Sequence, residues 1–155
     1  MLDEAPSGFT AAADDVGRTG ATDLAQAAAD AGDPGAAAAL AGAGFVRGWQ
    51  RLWVSADEED ELFLLVYEFA EPAGAAAFFE RTTGEAAEAG GEGVFAVPGL
   101  PGAVGVTGGG DGLQVSAVVT TTGPYLVQVI GNGPEPGPRR GTGVALASAQ
   151  VQRLE

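Results

Sequence analysis

The residues able to do chemistry in this chain are few in kind. Its 155 residues include no cysteine and no histidine, and every basic residue is an arginine. Thiol nucleophiles, Ser-His-Asp relays, His-ligated zinc, lysine Schiff bases and the phosphate-gripping lysine of a P-loop are therefore out of reach. Carboxylates, hydroxyls, two tyrosines and seven arginines remain. A lysine-free chain rich in alanine, glycine and arginine is also what a GC-rich genome produces. The missing histidine and cysteine thus carry more weight than the missing lysine. No cofactor and no metal is expected.

One alternation stands out among the remaining residues. Arg47, Trp49, Arg51 and Trp53 recur at every second position, so on a strand their side chains share a face. If Val54 pairs with Glu61 across a hairpin, Arg47 falls opposite Glu68, Trp49 opposite Val66, Arg51 opposite Leu64 and Trp53 opposite Leu62. On one reading the tryptophans are core and Arg47–Glu68 is a cross-strand ion pair, a contribution of about 1 kcal/mol at most. On the other, guanidinium groups and indole rings form a surface that holds a carboxylate or a flat ligand. Arg47, Trp49, Arg51, Trp53 and Glu68 are the candidate ligand-binding residues on that second reading. No residue is a candidate for catalysis.

The other clusters read as turns. Asp57-Glu58-Glu59-Asp60-Glu61 supplies adjacent carboxylates, without the alternating ligands, bend glycine and distal glutamate of a calcium loop. Glu68 and Glu80 could pair as acids for glycoside hydrolysis, but nothing fixes their separation. Gly42-Ala43-Gly44 precedes a strand instead of opening a helix, and Gly108–Gly112 has neither the spacing nor the lysine of a phosphate loop.

The elements that must position these residues are expected as follows. Residues 1–21 form an irregular arm anchored by Phe9, and residues 22–155 a single α+β domain. Thr22 or Asp23 caps a helix running to Ala31 with Leu24 and Ala28 on one face, and Gly32 stops it. Asp33-Pro34 starts a second helix, aspartate as its cap. Strands follow at 46–54 and 61–69, the second apolar on both faces as a central strand would be. A helix opens at Pro72 and ends at Gly84. Short strands flank two Pro-Gly turns at 98–102. An alternating strand spans 113–122 with Leu113, Val115, Ala117, Val119 and Thr121 on its buried face. Its hairpin partner is 125–130, residues 131–141 are loop, and a helix over 142–154 closes the chain. The order strand–strand–helix appears twice, at 46–83 and 113–154, which suggests a β–β–α repeat. An antiparallel sheet with helices packed mainly on one face is the expected architecture.

Length and charge narrow the function classes. One domain of this size, 46% apolar, buries a core without disulfides or metals. The net charge of −14 makes nucleic acid and anionic membranes poor partners, because counterion release needs clustered basic residues. No apolar run reaches the ~18 residues needed to cross a bilayer. Met1-Leu2-Asp3-Glu4 lacks the regions of a signal peptide. Leu154-Glu155 reads as a cloning remnant and Met1 as an added start, so an upstream signal or anchor is expected to belong to this domain.

Leu2-Asp3-Glu4-Ala5-Pro6-Ser7-Gly8-Phe9, Asp33-Pro34, Gly44-Phe45-Val46-Arg47-Gly48 and Val66-Tyr67-Glu68-Phe69 together resemble a group of uncharacterised actinobacterial proteins. The resemblance covers most of the chain. It implies an extracytoplasmic domain, secreted or tethered to the membrane, and brings no catalytic or binding residue with it. The expected function is a non-enzymatic binding or interaction module whose partner is a protein or a small molecule. The alternative is a carboxylate-dependent hydrolase, which would need a deep pocket lined by Glu68, Tyr67 or Tyr125. A binding module would instead show an apolar groove or flat patch with few convergent charges.

Overall fold

The acidic run after the first long strand turns the chain back on itself, and that hairpin organises the rest. In the computed structural model, which describes residues 2–13, 18–88, 93–110, 112–134 and 139–155, β3 (Phe45–Ser55) pairs with β4 (Glu61–Phe69). The register is the expected one: Val54 opposite Glu61, Trp53 opposite Leu62, Arg51 opposite Leu64, Trp49 opposite Val66 and Arg47 opposite Glu68. Ser55 fastens the turn, donating its hydroxyl to Asp57 and accepting the Asp60 N–H at 2.9 Å. A bulge between Phe45 and Arg47 turns Val46 out of the ladder.

Six further strands complete one antiparallel sheet. They are β1 (Phe9–Ala11), β2 (Gly20–Thr22), β5 (Gly93–Ala96), β6 (Val104–Gly110), β7 (Leu113–Thr122) and β8 (Tyr125–Pro134). The strand order is β1-β3-β4-β8-β7-β6-β5, with β2 also paired to β3. Two three-residue strands thus lie within and at the end of the N-terminal arm, where an irregular segment was expected. β1 covers the β3 edge at 53–55 and β2 covers it at 48–50. β4 is central and buried along both faces from Leu62 to Tyr67.

The helices are α1 (Leu24–Ala31), α2 (Ala36–Gly42), α3 (Pro72–Glu88) and α4 (Arg139–Leu154). Three of them share one face of the sheet, where Ala27, Leu40, Ala75 and Phe78 pack with Leu52, Phe63, Leu65, Tyr67 and Leu126. α4 covers the other face, where Leu146, Ala147 and Val151 meet Trp53, Leu62, Leu64, Val66, Val127 and Val129. The β–β–α order occurs twice, as β3-β4-α3 and β7-β8-α4, with the two helices on opposite faces. The result is a single α+β domain.

Local signals fix the α1 boundaries. The Asp23 carboxylate accepts the Gln26 N–H at 2.9 Å, and Gly32 takes the left-handed conformation at φ 70° that ends the helix. Both Pro-Gly turns also form as expected, with Leu100 N–H bonded to the Val97 carbonyl and Ala103 N–H to that of Leu100. Gly99 and Gly102 supply the positive φ, 82° and 80°, that such turns need.

Several expectations need correction. α2 starts at Ala36, because Asp33 folds back on the Gly35 N–H at 2.8 Å instead of capping the helix. α3 continues through Gly84 to Glu88; residues 89–92 lie outside the described ones. Gly108 to Gly110 are strand, paired with Val115, Gln114 and Leu113. Glycine is required at Gly109, where a Cβ would sit 2.2 Å from the Leu113 carbonyl oxygen. The loop expected over 131–141 is strand to Pro134 and helix from Arg139, and 135–138 lie outside the described residues. β7 is also buried on both faces in its middle instead of on one: Val119 is buried on the expected face, and residues of the other face are buried with it. Ser116, Val118 and Thr120 are buried while Leu113 is half exposed, because α4 lies over the face that looks more polar.

Candidate functional site

β2 leaves the β3 edge at Gly48, and the chain then rises into α1. On that edge nothing among the described residues pairs with β3 beyond Gly48, so residues 45–47, held by β4 on their other side, present an open strand edge facing α1. Between them lies an open groove of about 790 Å³, walled by Thr19, Thr22, Leu24, Phe45, Val46 and Arg47 among others. Leu24 is 37% exposed and Val46 55% exposed, two of the four large apolar side chains left to solvent among the described residues. The hydroxyls of Thr19 and Thr22 are shielded in its wall with no hydrogen-bond partner among the described residues. Unsatisfied hydroxyls beside exposed apolar carbon are the mixture from which recognition surfaces are built.

The five residues marked by their alternation divide in this setting. Arg47 lines the groove, its Nε 2.7 Å from the Glu68 carboxylate and its Cζ 4.7 Å from the centre of the Trp49 ring. The Arg47 side chain is 61% exposed and that of Glu68 20%, so the pair lies at the rim where solvent screens it. Trp49 is half-buried against the α4 side of the sheet. Arg51 reaches back to Asp3 of the N-terminal arm at 3.7 Å. Trp53 is completely buried, its indole N–H without an acceptor, and belongs to the core beneath α4. The sequence reading missed Leu24, Val46 and the two threonines. Leu24 was expected on the buried stripe of α1, but Ala27 takes that place.

The residues that a carboxylate hydrolase would use do not converge. Glu68 and Tyr125 are cross-strand neighbours, whereas Tyr67 points to the opposite face of the sheet. Glu80 lies exposed on α3, on the face opposite Glu68. Burial, followed by the negative charge of Asp30, pushes the Tyr67 phenol well above its ordinary range, so the ring stays neutral at physiological pH.

A second and smaller space lies deeper, between α1, α3 and the strands β4 and β8. Its volume is about 160 Å³, and Asp30, Asp33, Tyr67, Phe78, Arg81 and Gln128 line it. Arg81 of α3 forms an ion pair with Asp33 at the head of α2. The Gly35 N–H and then Arg81 hold the Asp33 carboxyl below its usual range. Gly48 makes space for the Tyr67 ring, since a Cβ there would stand 2.8 Å from the Tyr67 Cδ1. No group of acidic, histidine or cysteine side chains placed to hold a metal occurs among the described residues.

The model of a family described as DUF7373, a domain of unknown function, N-terminal, matches residues 6–154. The chain belongs to that family, which agrees with its resemblance to proteins without an assigned role. No curated protein matches it. Among solved structures, it is similar to the extracellular domain of PknH from Mycobacterium tuberculosis. The TM-score is 0.59 at 15% sequence identity, over 94% of this chain and 82% of that one. At that identity the likeness is one of fold.

Proposed function

We propose that this DUF7373 family member is a non-enzymatic binding module that works outside the cytoplasmic membrane and recognises an extended segment of a partner protein. The observation that carries the reading is the groove. Leu24, Val46 and Phe45 gather apolar surface beside the unpaired β3 edge at 45–47, with Arg47 at the rim. An extended peptide laid there gains backbone hydrogen bonds from the strand edge and apolar contact from α1. Arg47 offers a side-chain carboxylate of the peptide a bidentate partner once Glu68 releases it. The placement of Tyr67 and Glu80 on the face of the sheet opposite Glu68 favours this reading over the hydrolase.

A displayed library of random peptides, selected on the purified chain, tests it. The enriched peptide should bind at least ten-fold more weakly to Val46→Lys, a substitution at an exposed position that leaves the fold intact. Ester, glycoside, phosphate and peptide substrates should give no turnover that Glu68→Gln abolishes. Turnover lost specifically in that variant, or peptide affinity indifferent to Val46→Lys, would overturn the proposal.

The extracytoplasmic setting is supported by the shared fold with an extracellular domain and by the resemblance of the N-terminal and β3 motifs. Protease added to intact cells expressing the full gene product should digest the domain. A domain protected until the cells are lysed would contradict this placement.

A further inference from the structure

The space under α1 holds one shielded polar atom left without a partner among the described residues, Asp30 Oδ2, beside the Tyr67 phenol. Tyr67 is 2% exposed and lines the cavity. Asp30 accepts the Gln26 side-chain amide at 2.8 Å through Oδ1, while its Oδ2 is shielded from solvent with no partner. A carboxylate oxygen kept from water and left unpaired is costly, so the fold gains when a donor reaches it. Asp30 and Tyr67 both line this space of about 160 Å³, which brings them within reach of one small molecule.

We propose that this cavity binds a small free ammonium compound, of the size of a two-carbon amino alcohol. The sign of the charge follows from the lining. Arg81 neutralises Asp33, so Asp30 leaves one net negative charge facing the space. The Phe78 and Tyr67 rings add faces that attract a cation. The ligand ammonium donates to Asp30 Oδ2, and the Tyr67 hydroxyl and Gln128 amide take the hydroxyl at its other end. Size follows from the volume: 160 Å³ accommodates roughly five waters at ~30 Å³ each, enough for such a molecule and too little for a lipid chain. The net charge of −14 raises the local concentration of any cation near the surface. This site is separate from the groove and does not depend on it.

Titration calorimetry and thermal unfolding with ethanolammonium chloride test the proposal. Ethylene glycol, sodium chloride at matched ionic strength and sodium acetate serve as controls. A saturable rise in Tm with ethanolammonium alone is expected, since a ligand of the native state stabilises it. Asp30→Asn should weaken binding at least ten-fold and Tyr67→Phe several-fold, while Val46→Lys should leave it unchanged. No saturable heat or shift, an equal response to sodium, or undiminished binding in folded Asp30→Asn would each overturn it, leaving the cavity to water.

Discussion

Trp49 and Trp53 stand two residues apart on one face of one strand, yet they do different work. Trp53 lies under α4 with no exposure, whereas Trp49 is half-covered and carries Arg47 over its ring. Emptying the Trp53 site should cost about 3–5 kcal/mol, the usual range for a fully buried large aromatic. Trp49→Ala should cost roughly 1–2 kcal/mol, because less apolar surface returns to water. Urea unfolding of the two variants checks this, and equal costs would contradict it. In Trp49→Phe, the remaining Trp53 emission should be blue-shifted and resistant to acrylamide. The alternation showed which residues share a face and who stands opposite whom. It could not show depth, because depth depends on α4 and the N-terminal arm, whose packing on this face no local spacing encodes. Arg51 illustrates the same limit: its partner Asp3 is far away in sequence.

At the scale of elements, the hairpin register was legible because a polar acidic turn separates two strongly apolar runs of β-forming residues. The helix α1 was legible for a similar reason, with a carboxylate cap before it and a glycine after it. Elements without side-chain pattern were not. Gly108–Gly110 contains nothing to alternate, and only the proximity of β7 makes it strand. Gly84 lies inside α3 facing open space, so the expected stop there does not end the helix. The buried face of β7 was misread because a sheet covered on both sides removes the contrast between its faces. Where α2 meets α3, the fit depends on one missing methyl group. A Cβ on Gly74 would stand 1.9 Å from the Ala43 carbonyl oxygen, a backbone atom unable to swing aside. Gly74→Ala should therefore destabilise the chain by about 1–3 kcal/mol despite the better helix propensity of alanine. A thermal melt indistinguishable from the parent would show that α2 and α3 can part without cost.

Across the whole molecule, its own contacts already occupy much of the scarce positive charge. Arg18 lies over Phe63, Arg47 over Trp49, Arg51 reaches Asp3, Arg81 holds Asp33 and Arg140 covers Phe95. Tethered singly to separate places, these five arginines form no basic patch among the described residues. The groove beside β3 arises only at this scale. Leu24 and Val46 lie more than twenty residues apart and meet because β2 ends where α1 begins, leaving three residues of β3 uncovered. The central claim is that this uncovered edge receives a partner's extended chain. Amide hydrogen exchange with and without the selected peptide tests it most directly. Slower exchange confined to Phe45–Arg47 and the adjoining residues 19–26 is the predicted result. Protection appearing elsewhere while those amides exchange at their free rate would contradict the claim.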